Sequence, residues 1–183
     1  CSIRCDIAAS PERIWALLRS RRPTAQEAGG LGLGARGALT HIEPELLVAL
    51  SRHEVQRVRQ GLFELLEQLG PALHPHLPTL VGLVDSRWPD ARERAFRLLQ
   101  GAFPAETWTV ELLVGLADSV RPDVQSFAIQ LLYRSSSPEM GPELMRRLGE
   151  HPSPRVHAVA IGYLEAHGRG DLVALRALRP FLE

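Results

Sequence analysis

The 183-residue chain contains no lysine and no asparagine, so all 21 of its basic residues are arginine. A GC-rich coding sequence that avoids those codons accounts for both absences and fits a bacterium with such a genome. An arginine-only surface favours bidentate pairing with carboxylates and stacking on aromatic faces, which suits protein contacts as well as phosphates. Cysteine is nearly absent. Cys1 and Cys5 are the only two, too few for a disulfide framework or a four-ligand zinc site, and they read as reduced thiols of a cytosolic protein. Because the chain opens on Cys1, a mature lipoprotein is one account; removal of an initiator Met, or a segment cut from a longer chain, is the plainer one. No apolar run approaches the roughly 18 residues that span a bilayer, which excludes a helical membrane span and predicts a soluble, cytoplasmic protein. Surplus charge is lacking as well, with 21 basic residues against 21 acidic. A dedicated nucleic-acid binder carries a basic excess, so this balance speaks against a nucleic-acid partner while leaving room for a local basic patch. No nucleophile stands at an interpretable spacing from a base, and the carboxylates fall mostly at helix ends or on exposed faces. The expectation is a non-catalytic protein with no cofactor and no metal.

What the chain does have is a period. Ala91, Ala95, Phe96, Leu98 and Leu99 return 33 positions later as Val124, Ala128, Ile129, Leu131 and Leu132. The same pattern stands 33 earlier at Val58, Leu62, Phe63, Leu65 and Leu66, and 32 later at Val156, Ala160, Ile161, Tyr163 and Leu164. A second series, Leu47 and Leu50, Leu80 and Leu83, Leu113 and Leu116, Met145 and Leu148, keeps the same steps. Two apolar helical stripes per period are the mark of stacked helix pairs. The link between paired helices repeats too: Asp85 to Asp90 returns as Asp118 to Asp123, with Pro89, Pro122 and Pro154 in register. Proline fixes φ for the first turn of a helix, and Asp90 and Asp123 place a carboxylate at its positive end. Pro44, Pro78 and Pro142 stand near the starts of the first helices, where a missing N–H costs nothing.

In chain order, residues 1–41 read as a degenerate leading repeat. Its first helix is expected over 11–22, capped by Ser10, with Ile14, Trp15, Leu17 and Leu18 on one apolar face. Its second half holds Gly29, Gly30, Gly32, Gly34 and Gly37. Either Ala25, Gly29 and Leu33 mark a short, close-packed helix, or the stretch is a phosphate-cradling loop; the second lacks a preceding strand and a P-loop lysine. Helix pairs are predicted over 42–71, 77–104, 109–138 and 142–168, the second helices ending at Gly70-Pro71, Phe103-Pro104, Ser137-Pro138 and Gly168. A terminal helix over 171–183 either caps the last repeat or continues into a longer array, and the scarcity of polar caps favours the longer array.

The apolar first helix, the Pro/Asp link and a second helix opening V-R or A-R with a small residue four on resemble the HEAT repeat family, in its short bacterial form. The matching residues are Val58-Arg59, Asp90-Ala91-Arg92 with Ala95, Asp123-Val124 with Ala128, and Arg155-Val156 with Ala160. Gln125 and His157 depart from the basic position held by Arg59 and Arg92, which argues against a continuous arginine ladder. The resemblance implies an all-α, right-handed α-solenoid, a superhelix of stacked antiparallel helix pairs of HEAT/armadillo type, forming one domain over 1–183. It also implies a protein-interaction scaffold. Two HEAT-like subclasses carry chemistry, phycobilin lyase-type proteins and alkylpurine DNA glycosylases; the second would use an acidic residue and aromatics on a basic concave face.

With the second helices lining a concave face, as the resemblance implies, offsets two, six and nine after the leading apolar residue face outward. These are Gln60, Glu64 and Glu67; Glu93, Arg97 and Gln100; Ser126, Gln130 and Tyr133; Ala158, Gly162 and Glu165. A nucleic-acid groove would be basic throughout, whereas this mixed ridge suits a protein partner, with Glu64, Glu67, Arg97, Gln130 and Tyr133 as contact residues. Arg92, Arg94 and Arg97 form the densest basic cluster and are the candidate phosphate contacts, weighed against pairing with Glu93 and neighbouring carboxylates. His74 and His76 lack further ligands at metal spacing. His151 and His157 read as solvated or capping, and Trp88 and Trp108 as packing between repeats. The alternative to a scaffold is a DNA-binding or repair protein of the glycosylase type.

Overall fold

A computed structural model of the protein describes residues 10–35, 43–135 and 141–167. Cys1, Cys5, Gly37, the helix ends at Ser137-Pro138 and Gly168, and the expected terminal helix 171–183 lie outside the described residues. All regular structure among the described residues is helical, with no strand, as the apolar periodicity predicts. The α-helices are α1 (Pro11–Leu18), α2 (Pro23–Gly34), α3 (Pro44–Ser51), α4 (Gln56–Leu69), α5 (Leu77–Leu80), α6 (Pro89–Ala102), α7 (Val110–Ala117), α8 (Pro122–Ser135), α9 (Gly141–Gly149) and α10 (Pro154–His167). They fall into two compact units, Cys1–Phe103 and Pro104–Glu183.

In the first unit, helix pairs α1–α2, α3–α4 and α5–α6 follow one another, α2 packing on α4, α3 on α5 and α4 on α6. The predicted stripe of α4 is its core: Val58, Leu62, Phe63, Leu65 and Leu66 are at most 1 % exposed. Each such side chain contributes about 1.5–3 kcal/mol of burial as an upper bound. Three expectations need correction. Helix α1 stops at Leu18, not 22, because Arg22 precedes Pro23 and is held extended at φ −93°, ψ 120°. Ser10 starts α1 through its carbonyl, which accepts from Arg13 and Ile14 N–H. Its hydroxyl instead binds Glu12, holding that carboxyl below its usual range. The first helix of the third pair is not a regular α-helix either: Gly70–His76 and Val81–Asp85 are 3-10 turns flanking the four residues of α5. Pro71 and Pro75 cannot donate to an i−4 ladder, and a 3-10 turn takes over across Gly70–His76. The stripe survives, with Leu77, Leu80 and Leu83 buried.

The glycine-rich stretch is helix α2, not a phosphate loop, and close packing is the reason. A Cβ on Gly61 would stand 1.9 Å from the Gly30 carbonyl oxygen, and one on Gly30 would stand 2.6 Å from the Arg57 oxygen. Backbone therefore lies on backbone where α2 crosses α4. On its other side α2 meets α1, where a Cβ on Gly32 would come within 2.9 Å of Ile14 and one on Gly29 within 3.0 Å of Leu18. Glycine costs a helix about 1 kcal/mol per residue relative to Ala; dispersion contact along both sides of α2 offsets it. Gln68 Nε2 donates to Gly34 O at 2.9 Å, satisfying one carbonyl at the end of α2.

One device turns the chain between paired helices in both units. His53 Nδ1 accepts the Val55 N–H at 3.0 Å, Ser86 Oγ that of Trp88 at 3.3 Å, Ser119 Oγ that of Arg121 at 3.3 Å, and His151 Nδ1 that of Ser153 at 3.0 Å. The four acceptors stand 33, 33 and 32 residues apart. His151, expected to be solvated or capping, is buried and caps this turn, its Nε2 3.0 Å from Asp118 Oδ1. A protonated Nδ1 cannot accept a hydrogen bond. Burial first, and then the nearby Arg59 charge, hold His53 below its ordinary value of 6.5 against the pull of Glu54. The unfolded chain therefore takes up this proton first, so stability present above pH 6.5 falls as the pH drops through and below it. His53→Ser, which installs the acceptor used at 86 and 119, should keep the fold and flatten this acid-side slope. Urea midpoints at pH 7.5 and 5.5 check it, and an unchanged slope would place the acid sensitivity elsewhere.

The second unit pairs α7 with α8 and α9 with α10, α7 packing on α9 and α8 on α10. Thr109 caps α7, its hydroxyl accepting the Leu112 N–H at 3.4 Å. Val124, Ala128, Leu131 and Leu132 are buried as the period predicts, and Trp108 is buried as well. Ile161, in the register of buried Phe63, is 46 % exposed. That position lies one residue, about 100°, from the stripe centre, so its burial depends on flanking cover. Gly115 in α7 has nothing within 4 Å of a would-be Cβ. Gly115→Ala should therefore raise stability by about 0.5–1 kcal/mol, read from the urea unfolding curve; a loss would reveal a neighbour that the helix geometry does not show.

Candidate functional site

Helix α4 ends at Leu69 because Gly70 adopts φ 49°, a left-handed conformation that L side chains resist. The chain then runs as a 3-10 turn past Pro71 to His74, beside the last turn of α6. These segments enclose a cleft of about 640 Å³ lined by Glu67, Gly70, Pro71, His74, Arg97, Leu98, Gly101 and Ala102. His74 forms one wall. Its ring packs on Phe103 at 5.5 Å, and its Nε2 lies 2.6 Å from Ala102 O. A carbonyl only accepts, so Nε2 is the donor in this contact. Arg97 is exposed and pairs with Glu93 at 3.6 Å, one turn back on α6. Glu67 is exposed and carries no ion-pair partner among the described residues.

Two of the residues picked from helical spacing, Glu67 and Arg97, thus share one cleft. Glu64 stands apart from it. Its carboxylate takes both Nη groups of Arg57, at 2.9 and 3.2 Å, and lies against Gly34 of α2. Gln130 and Tyr133 belong to the second unit, both exposed, with the Tyr133 hydroxyl close to Gly162 of α10. Of the candidate phosphate contacts, Arg92 donates to Ser86 O at 3.0 Å and Arg94 to Gln60 O at 3.2 Å, while Arg97 extends into solvent.

The side chain that organises the link region is Arg59, 4 % exposed. It holds Asp90 through Nε at 3.2 Å and Nη2 at 3.1 and 2.9 Å, donates from Nη1 to His53 O and Glu54 O, and lies 4.3 Å over the Trp88 ring. Asp90 is therefore an inter-repeat anchor as well as a residue of the first turn of α6. Arg92 repeats the Nη1 contact one period on, at Ser86 O. Sequence spacing gives His74 no role here, because its place as a wall depends on the path of the proline-rich 3-10 turn. Among the described residues no group of three or more His, Cys, Asp or Glu side chains gathers as a metal site, and no helix is long and apolar enough to cross a membrane. Compared with protein-family models and with curated proteins, the chain finds no match.

Proposed function

We propose that the protein is a HEAT-like repeat scaffold, a non-catalytic, right-handed α-solenoid of a bacterial cytoplasm that holds a protein partner through a short peptide segment. The observation that carries this reading is the first-unit cleft, in which Glu67 and Arg97 flank an aliphatic floor of Pro71 and Leu98. A concave site with an apolar lining and a few placed polar groups is the ordinary form of a ligand-binding pocket. Repeated link geometry supports the HEAT-like part: turn acceptors recur at the repeat spacing, and Arg59 reaches Asp90 in the next pair. The phosphate reading has less support, because Arg92 and Arg94 already donate to backbone carbonyls.

Panning a random heptapeptide display library on the protein tests the proposal, with a Glu67→Ala/Arg97→Ala variant as counter-selection. Enrichment of a consensus that the folded variant binds about tenfold less tightly, the loss expected for two interfacial charge contacts of about 0.7 kcal/mol each, is the expected result. Enrichment of nothing, or of peptides held equally by the variant, would move the interface off the cleft. Nucleic acid retained by the protein and released steeply with salt would favour the repair alternative instead.

A further inference from the structure

We infer that the cleft selects a segment carrying a cationic side chain, arginine or lysine, next to an aliphatic residue, with the cation on Glu67 and the aliphatic chain on Pro71 and Leu98. This rests on the reading of the cleft as a peptide site and adds the chemistry of its occupant. The argument is one of charge complementarity. Arg97 already has Glu93 at 3.6 Å, so the positive wall is balanced within α6. Glu67 has no such partner among the described residues. The remaining polar capacity is acceptor in character. His74 spends its Nε2 N–H on Ala102 O, so that donor is not offered to an anion. Helices α4 and α6 both end at the cleft, which adds the partial negative charge of two C-termini. An anionic segment would face these ends and Glu67, with only a shared Arg97 to receive it. An arginine or lysine stem can lie along Leu98 and Pro71 while its head reaches Glu67. Gly101 faces open space, since a Cβ there would meet nothing within 4 Å.

The test is an NMR titration of the full ¹⁵N-labelled chain, following the Gly70 and Gly101 amides. Three acetylated, amidated pentapeptides serve as probes: Gly-Leu-Arg-Leu-Gly, the same with citrulline at the centre, and the same with glutamate. The arginine peptide should shift both amides saturably and bind about three- to fivefold more tightly than the citrulline isostere, the range of one exposed ion pair. Glu67→Gln should level the two, and Gly101→Phe, which places a ring among the residues that line the cleft, should abolish binding by all three. Equal binding of the arginine and citrulline peptides, a preference that survives Glu67→Gln, or tighter binding of the glutamate peptide would overturn the inference while leaving the cleft a peptide site. The absence of any saturable shift with all three would overturn the peptide-site reading as well.

Discussion

Gly61→Ala is expected to destabilise the first unit by about 3 kcal/mol, although the same change in an open helix stabilises. The added methyl would stand 1.9 Å from the Gly30 carbonyl oxygen. Neither partner is a side chain that can rotate away, so α2 and α4 must separate by more than an ångström along their whole contact. Overpacking a core costs about 1–3 kcal/mol where side chains can give; backbone against backbone belongs at or beyond the top of that range. Against it stands the gain of about 1 kcal/mol for alanine over glycine in a helix. Gly30→Ala should behave alike, with its Cβ 2.6 Å from Arg57 O. Gly34→Ala should cost less, because its nearest obstacle is the movable carboxylate of Glu64. Hydrogen exchange of α2 and α4 amides, with urea unfolding, reads the series. An unchanged or raised stability in Gly61→Ala would mean that the two helices do not cross at this distance.

That crossing marks the boundary of what the sequence reveals. Periodicity of 33 exposes every helix whose apolar stripe is built of leucine, valine and alanine, and the buried residues of α4 and α8 follow it. Helix α2 is legible only as one of two alternatives because propensity argues against it; a second glycine, Gly61, thirty-one residues after Gly30 on α4, explains its close packing. The turn device escapes for a different reason. Histidine and serine are unlike as letters, yet an imidazole nitrogen and a hydroxyl oxygen accept the same N–H. At the cleft, Glu67 and Arg97 were legible because helical spacing alone turns them outward, whereas His74 depends on two prolines setting the path of a 3-10 turn. The Arg57–Glu64 pair was written at i,i+7 but is settled only by α2 lying against it.

Asp90→Ala carries the other large expected effect, about 3 kcal/mol, because of what it leaves behind rather than what it removes. Asp90 is itself 38 % exposed and can be hydrated, but Arg59 is 5 % exposed by side chain and would become a buried cation with no counter-charge. Its two bonds to His53 O and Glu54 O and the Trp88 face would remain, which keeps the loss below that of an isolated buried charge. Arg59→Ala should cost at least as much, since it orphans those carbonyls and strips the ring. Arg59→Lys should rescue little: a single ammonium cannot span Asp90 and both carbonyls as the planar fork does. The control lies in the same link. Glu54 and Arg87 also pair one period apart, but both are more than half exposed, and Glu54→Ala should cost less than about 0.5 kcal/mol. Urea unfolding of the four variants at pH 7.5, above the His53 transition, separates these expectations. Should Asp90→Ala fall within error of Glu54→Ala, the buried pair would be no anchor between the repeats, and the stacking of α4 on α6 would rest on its apolar stripe alone.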